Sequence, residues 1–452
     1  MISRFASCWT LLVVLVAGLV SADPLSIGTF DIDVTPPIGS RMAYDPVTNA
    51  WELGLRARGV VVIGAGSPVV LCAVDWIGIA NEGHDAFRTK LASAAATTPD
   101  HVAVHVLHQH DAPECDFGAE AILRGAGVSP WNYDGEFARD VLRRLSEAVA
   151  KASQVAREFD RVGLGKAEVK EVASNRRIFG PDGKVRAVRY TSSPDPKLRA
   201  EPEGLIDPEV SLVSFWKGER PVAVLSYYAT HPQSYYRTGI ANPDFPGIAR
   251  FLRQIAVPEA LHVHFNGAGG NIGAGKYNDG SPANRRILGE RLADGMRRAW
   301  ESTKTEPVAA ADVRWNCVPV ALPVARHLDE ERLVAQLKAR EAGFLTANGA
   351  GRLAWLRRSK AGHRIDVGCL AVGRGRILHL PGELFVEYQL AAKAERKDLF
   401  VAMAAYGDYG PYYIGTEAAY TEGGYETEPR SSNVAPEAER VLLPAIRSLL
   451  KN

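Results

Sequence analysis

The chain has 452 residues, with 53 lysines and arginines against 52 aspartates and glutamates, a net charge of +1. That balance excludes nucleic acid, or an anionic membrane surface, as a partner held by bulk electrostatics. The length suffices for a sizeable core and, taken alone, for two or three domains.

Residues 1–22 read as an export signal. Arg4 supplies the positive start, "LLVVLVAGLV" the apolar run, and Val20-Ser21-Ala22 the small-residue cleavage site. The apolar run falls short of the roughly 20 residues of a bilayer span, and no later stretch qualifies. The expected mature chain starts near Asp23, is secreted or periplasmic and has no transmembrane segment; an uncleaved N-terminal anchor is the rival reading. Cleavage removes Arg4, leaving 52 basic against 52 acidic residues. It also removes Cys8, leaving Cys72, Cys115, Cys317 and Cys369. Their even number permits two disulfides in an exported chain, and the lack of a CxxC pair argues against a thiolate zinc site.

Beyond the signal, apolar β-rich runs alternate with helical stretches. "ARGVVVIGAG" and "PVVLCAVDWIGIA" read as paired strands, "EGHDAFRTKLASAAA" as a helix, and "HVAVHVLHQH" as a strand. "GEFARDVLRRLSEAVAKASQVA" has apolar residues at helical spacing. Further strands are expected at "EVSLVSFW", "PVAVLSYYATH", "LHVHFNG", "IDVGCLAV" and "GRILHLPGE", with helices at 284–301, 329–342 and 384–397. Residues 192–209 read as a surface excursion. The fold class is α/β, with mixed sheets flanked by helices. One catalytic-size domain over 23–452 is the simplest organisation.

Several segments carry chemistry. In a strand, His108 and His110 of "HVLHQHDAPECD" share one face and His105 lies on the other. His-x-His at a strand end aims two imidazoles at one volume, although a pair of hydrogen-bonded histidines is an equal reading. "SYYATHPQSYY" presents His231 after an apolar run. "RILHLPGELFVEY" places Glu383 where a helix is expected, so its carboxylate also fits a helix N-terminus. "HFNGAGGNIGAGKYNDG" lacks the Lys-Ser/Thr end of a phosphate loop, and its glycines suit close approach of backbone to a ligand. "AAYGDYGPYYIGTEAAYTEGGYE" holds six tyrosines, more than a surface loop needs. Asp75 reads either as an acceptor orienting a ligand histidine or as a strand-end carboxylate.

Taken in order, these segments resemble the catalytic domain of the neutral, non-lysosomal ceramidases. The resemblance runs from "FDIDVTPPIG" through "AVDW", "HQHDAP" (for His-Thr-His-Ser-Gly-Pro), "SNRR" (for Asn-Arg-Ser-Pro), "ATHP", "NGAGGNIG" and "LPGE" to "YYIGTEAAYTEGGYE". It implies a ceramidase-like fold and zinc held by His108, His231, Glu383 and Tyr413, with Tyr425 twelve residues beyond the last of these. It further implies that His110, Arg176 and Tyr425 serve catalysis beside the metal. Two imidazoles and a carboxylate make an ordinary open catalytic zinc shell, and a phenol is a rarer fourth donor.

The chain also departs from the family. The loop corresponding to the family's Gly-Asp-Val-Ser-Pro-Asn is Gly270-Asn271-Ile272-Gly273-Ala274-Gly275, so Gly273 stands where the family has its nucleophilic serine. Asn271 replaces the aspartate and is expected still to hydrogen-bond a substrate or a ligand. Asp111 replaces a serine and is expected to add negative charge beside the metal. No room remains after the last expected helix for the family's C-terminal β-sandwich, which puts ceramide itself in question. The resemblance thus implies an exported zinc amidohydrolase that cleaves an N-acyl lipid, or another small amide, by metal-activated water, with peripheral lipid contact. A zinc esterase or phosphoesterase is one alternative. A non-catalytic ligand-binding homologue is the other.

Overall fold

The computed structural model describes residues 24–50, 52–339 and 343–451. The expected export signal lies outside them. Three sheets of four or five strands are built in chain order, with two-stranded ladders beside them. The first holds β1 (Ser26–Asp33), β2 (Arg56–Ile63), β3 (Val69–Val74) and β4 (Val102–Val106), ordered β4-β3-β2-β1, with Arg157–Glu158 added beyond β1. Its β3–β4 pair is parallel, which demands a crossover; helix α1 (Asn81–Ala94) makes it. Helix α2 (Glu136–Gln154) packs its apolar stripe on the same sheet.

The second sheet holds β5 (Arg161–Glu168), β6 (Glu209–Lys217), β7 (Arg220–Tyr228), β8 (Leu261–Asn266) and β9 (Lys304–Pro307), ordered β8-β7-β6-β5-β9. Its parallel pair is β7–β8, crossed by α3 (Asp244–Ala256), and α4 (Ala283–Glu301) lies beside α3. The third sheet runs β10 (Val313–Val320), β11 (Ile365–Val372), β12 (Gly375–His379) and β13 (Phe400–Ala404) in that order. Helices α5 (Glu330–Ala339) and α6 (Phe344–Lys360) fall between its first two strands. Its parallel pair, β12–β13, is crossed by α7 (Val386–Glu395), and α8 (Ala438–Lys451) closes the described chain.

The strand period of two explains the layers. On β3, Val69, Leu71 and Ala73 face a core that also takes Phe215 and Leu225 from the second sheet and Leu370 and Ile377 from the third. Val70, Cys72 and Val74 face a core shared with α1 and α2. Both faces are therefore covered, which is why these strands read as continuous apolar runs. Each sheet turns one face to the shared core.

At the carboxyl ends of the parallel pairs the three sheets are tied together. Val106 N donates to Tyr406 O at 2.9 Å and Ala405 N to Asn266 O at 2.9 Å. The Asn266 amide donates to Leu107 O at 2.7 Å. His105, on the shared-core face of β4, places Nδ1 2.7 Å from Ala405 O, while Nε2 lies 2.9 Å from His379 Nδ1. These contacts join β4, β8, β12 and β13 around one spot.

Sequence and structure differ in places. Strand β4 stops at Val106, before the histidines assigned to its end. The expected helix at 384–397 begins only at Val386, because Glu383 and Leu384 form a short parallel ladder with Tyr413 and Ile414. Cys72, Cys115, Cys317 and Cys369 are all free thiols, so their even number makes no disulfide. No helix of the described residues is long and apolar enough to cross a membrane.

Burial above all holds the His105, His262 and His264 imidazoles down to about 3. The unfolded chain, with histidines near about 6.5, then binds more protons than the folded one as pH falls below that value. Stability contributed by these groups is complete above about pH 6.5 and lost on acidification toward about 3. Melting temperature should accordingly be flat from pH 8 to about 7 and fall steadily below about 6.5 in a thermal scan series.

Candidate metal centre

Every residue of the centre follows a carboxyl end of a parallel pair. His108 lies two residues past β4, His231 three past β7, and Glu383 four past β12; Tyr413 stands nine past β13. Their relative exposures are 3%, 1%, 1% and 6%, so no donor is hydrated at its own surface. The Glu383–Tyr413 bridge sets those two residues side by side in register.

Local hydrogen bonds fix both imidazoles. His108 Nδ1–H donates to Ile77 O at 2.8 Å, and His231 Nδ1–H to Gly269 O at 2.7 Å. With Nδ1 committed to a carbonyl, Nε2 is the atom that each ring offers to a ligand. His231 Nε2 lies 2.9 Å and His108 Nε2 3.5 Å from the same Glu383 oxygen, and the Tyr413 hydroxyl lies 3.1 Å from His231 Nε2. One ligating atom from each of His108, His231 and Glu383 falls within 4.8 Å of the others. Bonds of 2.0–2.1 Å to a tetrahedral ion set its ligand atoms about 3.3 Å apart. Two imidazole nitrogens and a carboxylate oxygen converging at such spacing are the donors of an open zinc shell. The donor set therefore fits a metal ion.

The charge states agree with this. Burial pushes the His108 imidazole down to about 4 against the pull of Glu383. Burial would raise the Glu383 carboxyl, but His108, His231 and the Tyr409 hydroxyl outweigh it and hold it at about 2. Tyr409 OH donates to the second Glu383 oxygen at 2.7 Å, and the Tyr406 ring stacks on His108 at 5.1 Å. Burial lifts the Tyr413 phenol well above its ordinary value, opposed by Arg176.

Arg176 reaches the cluster from the short strand Ser174–Asn175, which pairs with Ile272–Gly273. Its guanidinium donates to Tyr413 OH at 3.1 Å and lies 3.3 Å from His231 Nε2. Tyr425 sets its ring edge-to-face with Tyr413 at 5.5 Å, and Arg176 lies 5.4 Å from the centre of the Tyr425 ring. His110 Nε2 stands 3.2 Å from His108 Nε2, in a left-handed turn at His108 (φ +57°) rather than by strand alternation. Its Nδ1 is buried without a partner, and the ring sits between Tyr44 and Tyr236.

The glycine loop has a use other than the one expected. A side chain on Gly270 would put Cβ 2.3 Å from the Glu383 carbonyl oxygen, and one on Gly269 would meet Thr230 backbone at 2.7 Å. The missing side chains thus let this loop pack on the segments that carry Glu383 and His231. Asn271 is turned away: its oxygen accepts from Val386 N and its amide donates to Glu387, both at 2.9 Å, so it holds the start of α7. Gly273 faces the site, with a Cβ direction 3.5 Å from the Arg176 side chain.

Two expectations about charge need correction. Asp111 accepts from Arg237 N and Thr238 Oγ1, each at 2.8 Å, so its carboxylate is engaged by the 237–238 loop. Asp75 makes a buried two-pronged pair with Arg250 at 2.7 and 2.6 Å and orients no histidine; the Ile77 carbonyl does that. Sequence reasoning also passed over Tyr44, Tyr236, Tyr406, Tyr409 and Glu426. The last is fully buried, 3.5 Å from Arg176 and 3.6 Å from Arg177, and balances their charge. Only Tyr406 and Tyr409 left a signal, as members of the tyrosine-rich segment.

Neither family models nor curated proteins match the chain. Solved structures do. A crystal structure of neutral ceramidase from Pseudomonas aeruginosa superposes with a TM-score of 0.65, at 16% identity, over 94% of this chain and 73% of that one. A structure described as a ceramidase complexed with C2 gives the same TM-score and identity over 94% and 75%. The fold is that of the neutral ceramidases. At 16% identity the likeness concerns the fold, and the side chains must argue the rest.

Zinc added to the metal-stripped chain should bind at about one ion per chain, and His231→Ala should abolish that binding. Tyr409→Phe should weaken it about tenfold by freeing a ligand carboxylate. Asp75→Ala should cost about 3–5 kcal/mol of stability by stranding Arg250, while leaving the metal content unchanged. Elemental analysis beside thermal denaturation checks all three variants.

Proposed function

We propose that the chain is a zinc-dependent amidohydrolase acting on an N-acyl compound. The observation that carries this reading is the buried convergence of His108 Nε2, His231 Nε2 and a Glu383 oxygen, in a fold shared with neutral ceramidases. His108, His231 and Glu383 hold the ion, and Tyr413 is the fourth donor. Bound zinc supplies Lewis acidity and brings the pKa of a water toward about 7.

The chain's own groups do the rest. Arg176, charged and pinned between Glu426 and Tyr413, stabilises negative charge as it develops on the amide oxygen. Tyr425 positions the substrate carbonyl beside it. His110 is held well below its ordinary value, by burial above all, and has an unpartnered Nδ1. It therefore serves as the base that later returns a proton to the leaving amine. Gly273 offers no hydroxyl, so water rather than a side chain is the nucleophile. The substrate is expected to be met outside the cytoplasm.

Gly273 also favours a second reading, a ligand-binding homologue that no longer turns over. Both are tested by following metal content and hydrolysis of a fluorescent N-acyl-sphingosine and of shorter N-acyl amines in the same samples. Wild type should carry zinc and cleave an amide. His231→Ala should lose both, with activity below about one-thousandth, the effect of removing several kcal/mol of charge stabilisation. Zinc without cleavage of any amide would support the binding homologue, and absence of zinc would sink the amidohydrolase.

A further inference from the structure

A cavity of about 520 Å³ opens at the seam of the second and third sheets. Leu164 of β5 and Lys304 of β9 line it from one side, and Phe400 and Val401, the first residues of β13, from the other. It therefore stands at the amino ends of the parallel pair β12–β13, whereas Glu383 and Tyr413 follow the carboxyl ends. Its volume lies within the roughly 300–1,000 Å³ typical of small-molecule sites.

Charge around this space does not balance. Lys166, Lys304, Arg374, Lys393 and Lys397 stand against Glu209, Glu306 and Asp398, five cations to three carboxylates. The carboxylates are already engaged. Lys166 and Lys393 hold Glu209 at 2.8 and 3.2 Å, and Lys393 also reaches Asp207 at 2.6 Å. Arg396 takes Asp398 at 2.8 Å, and Glu306 accepts from the Arg374 backbone N–H at 3.0 Å. Including Asp207 and Arg396, which lie outside the lining, adds one charge of each sign and leaves the excess unchanged. Among the described residues, the Lys304 and Lys397 ammonium groups have neither an ion-pair nor a hydrogen-bond partner. The Arg374 guanidinium meets no carboxylate; it donates to the Asp398 carbonyl at 2.8 Å. Between these heads lie Leu164, Leu399 and Phe400, each packed on a core along one side and only partly buried.

This lining discriminates between ligand types. Unpaired ammonium and guanidinium groups favour a carboxylate, with charge-assisted hydrogen bonds, and repel an amine. The apolar side chains favour a ligand with a chain to cover them. A bare anion would leave Leu399 and Phe400 wet, and an uncharged chain would leave the cations unmet.

We propose that this cavity binds a free carboxylate carrying an alkyl chain, as a second ligand site remote from the metal centre. It goes beyond the amidohydrolase reading and does not depend on it. Octanoate, octanol and acetate titrated into the metal-stripped full chain test it by calorimetry, with no turnover needed and no metal present to take the carboxylate. Octanoate should bind at least about tenfold more tightly than octanol. It should exceed acetate by a similar factor, which the burial of two methylenes suffices to give. The pair Lys304→Glu and Lys397→Glu, both on exposed side chains, should erase the preference over octanol. The same charge change at Lys90 and Lys151, exposed on α1 and α2, should leave it in place. Equal binding of octanoate and octanol, or of octanoate and acetate, overturns the proposal. So does a preference that survives the change at 304 and 397, or one lost equally with the change at 90 and 151. Selective octanoate binding by a chain that cleaves no amide retains the site and discards only the hydrolase.

Discussion

Three hydrogen bonds at the ends of β4, β8 and β13 set the geometry of this molecule: Val106 to Tyr406, Ala405 to Asn266, and the Asn266 side chain to Leu107. The apolar contacts between the sheets have no direction, and these bonds, with those of His105, supply it. With them, the carboxyl ends of strands from three sheets are fixed relative to one another. Residues as far apart in sequence as His108 and Tyr413 then share one buried volume. Open α/β sheets generally place ligands outside the carboxyl ends of parallel strands. Here three such ends coincide, one from each sheet.

Backbone carbonyls complete the arrangement. Ile77 and Gly269 each take the Nδ1–H of an imidazole, and the glycines at 269 and 270 allow that second carbonyl to come close. The same loop passes Gly273 before the Arg176 side chain. Glycine at 273 thus differs in kind from its neighbours. At 269 and 270 a side chain is excluded by contact, whereas at 273 the nearest atoms stand at ordinary distance and only the chemistry of a side chain is missing.

Much of this was legible in the sequence. The strands buried on both faces showed themselves as unbroken apolar runs, and α2 by its stripe. Helix α3 escaped notice because Pro246 and Gly247 sit in its first turn, where proline is in fact tolerated. Helix α6 was hidden by Gly349 and Gly351. His108, His231, Glu383, Tyr413, Arg176 and Tyr425 were found through motif order, and the structure brings all six together. Facing directions were not accessible. Asn271 and Asp111 stand next to the site in sequence yet turn to α7 and to the 237–238 loop. Tyr44 and Tyr236 flank His110 through folding alone, and neither falls in a periodic pattern that would single it out.

The carbonyl bonds that hold the two imidazoles have one more consequence. Neither ring can flip without breaking its Nδ1 bond, so both Nε2 atoms point at Glu383 whether or not an ion is there. The Tyr413 phenol, lifted well above its ordinary value by burial, differs from them in kind, because it would have to shed a proton to serve as an anionic donor. The imidazoles are aimed in advance, whereas the phenol would join only by a change of charge.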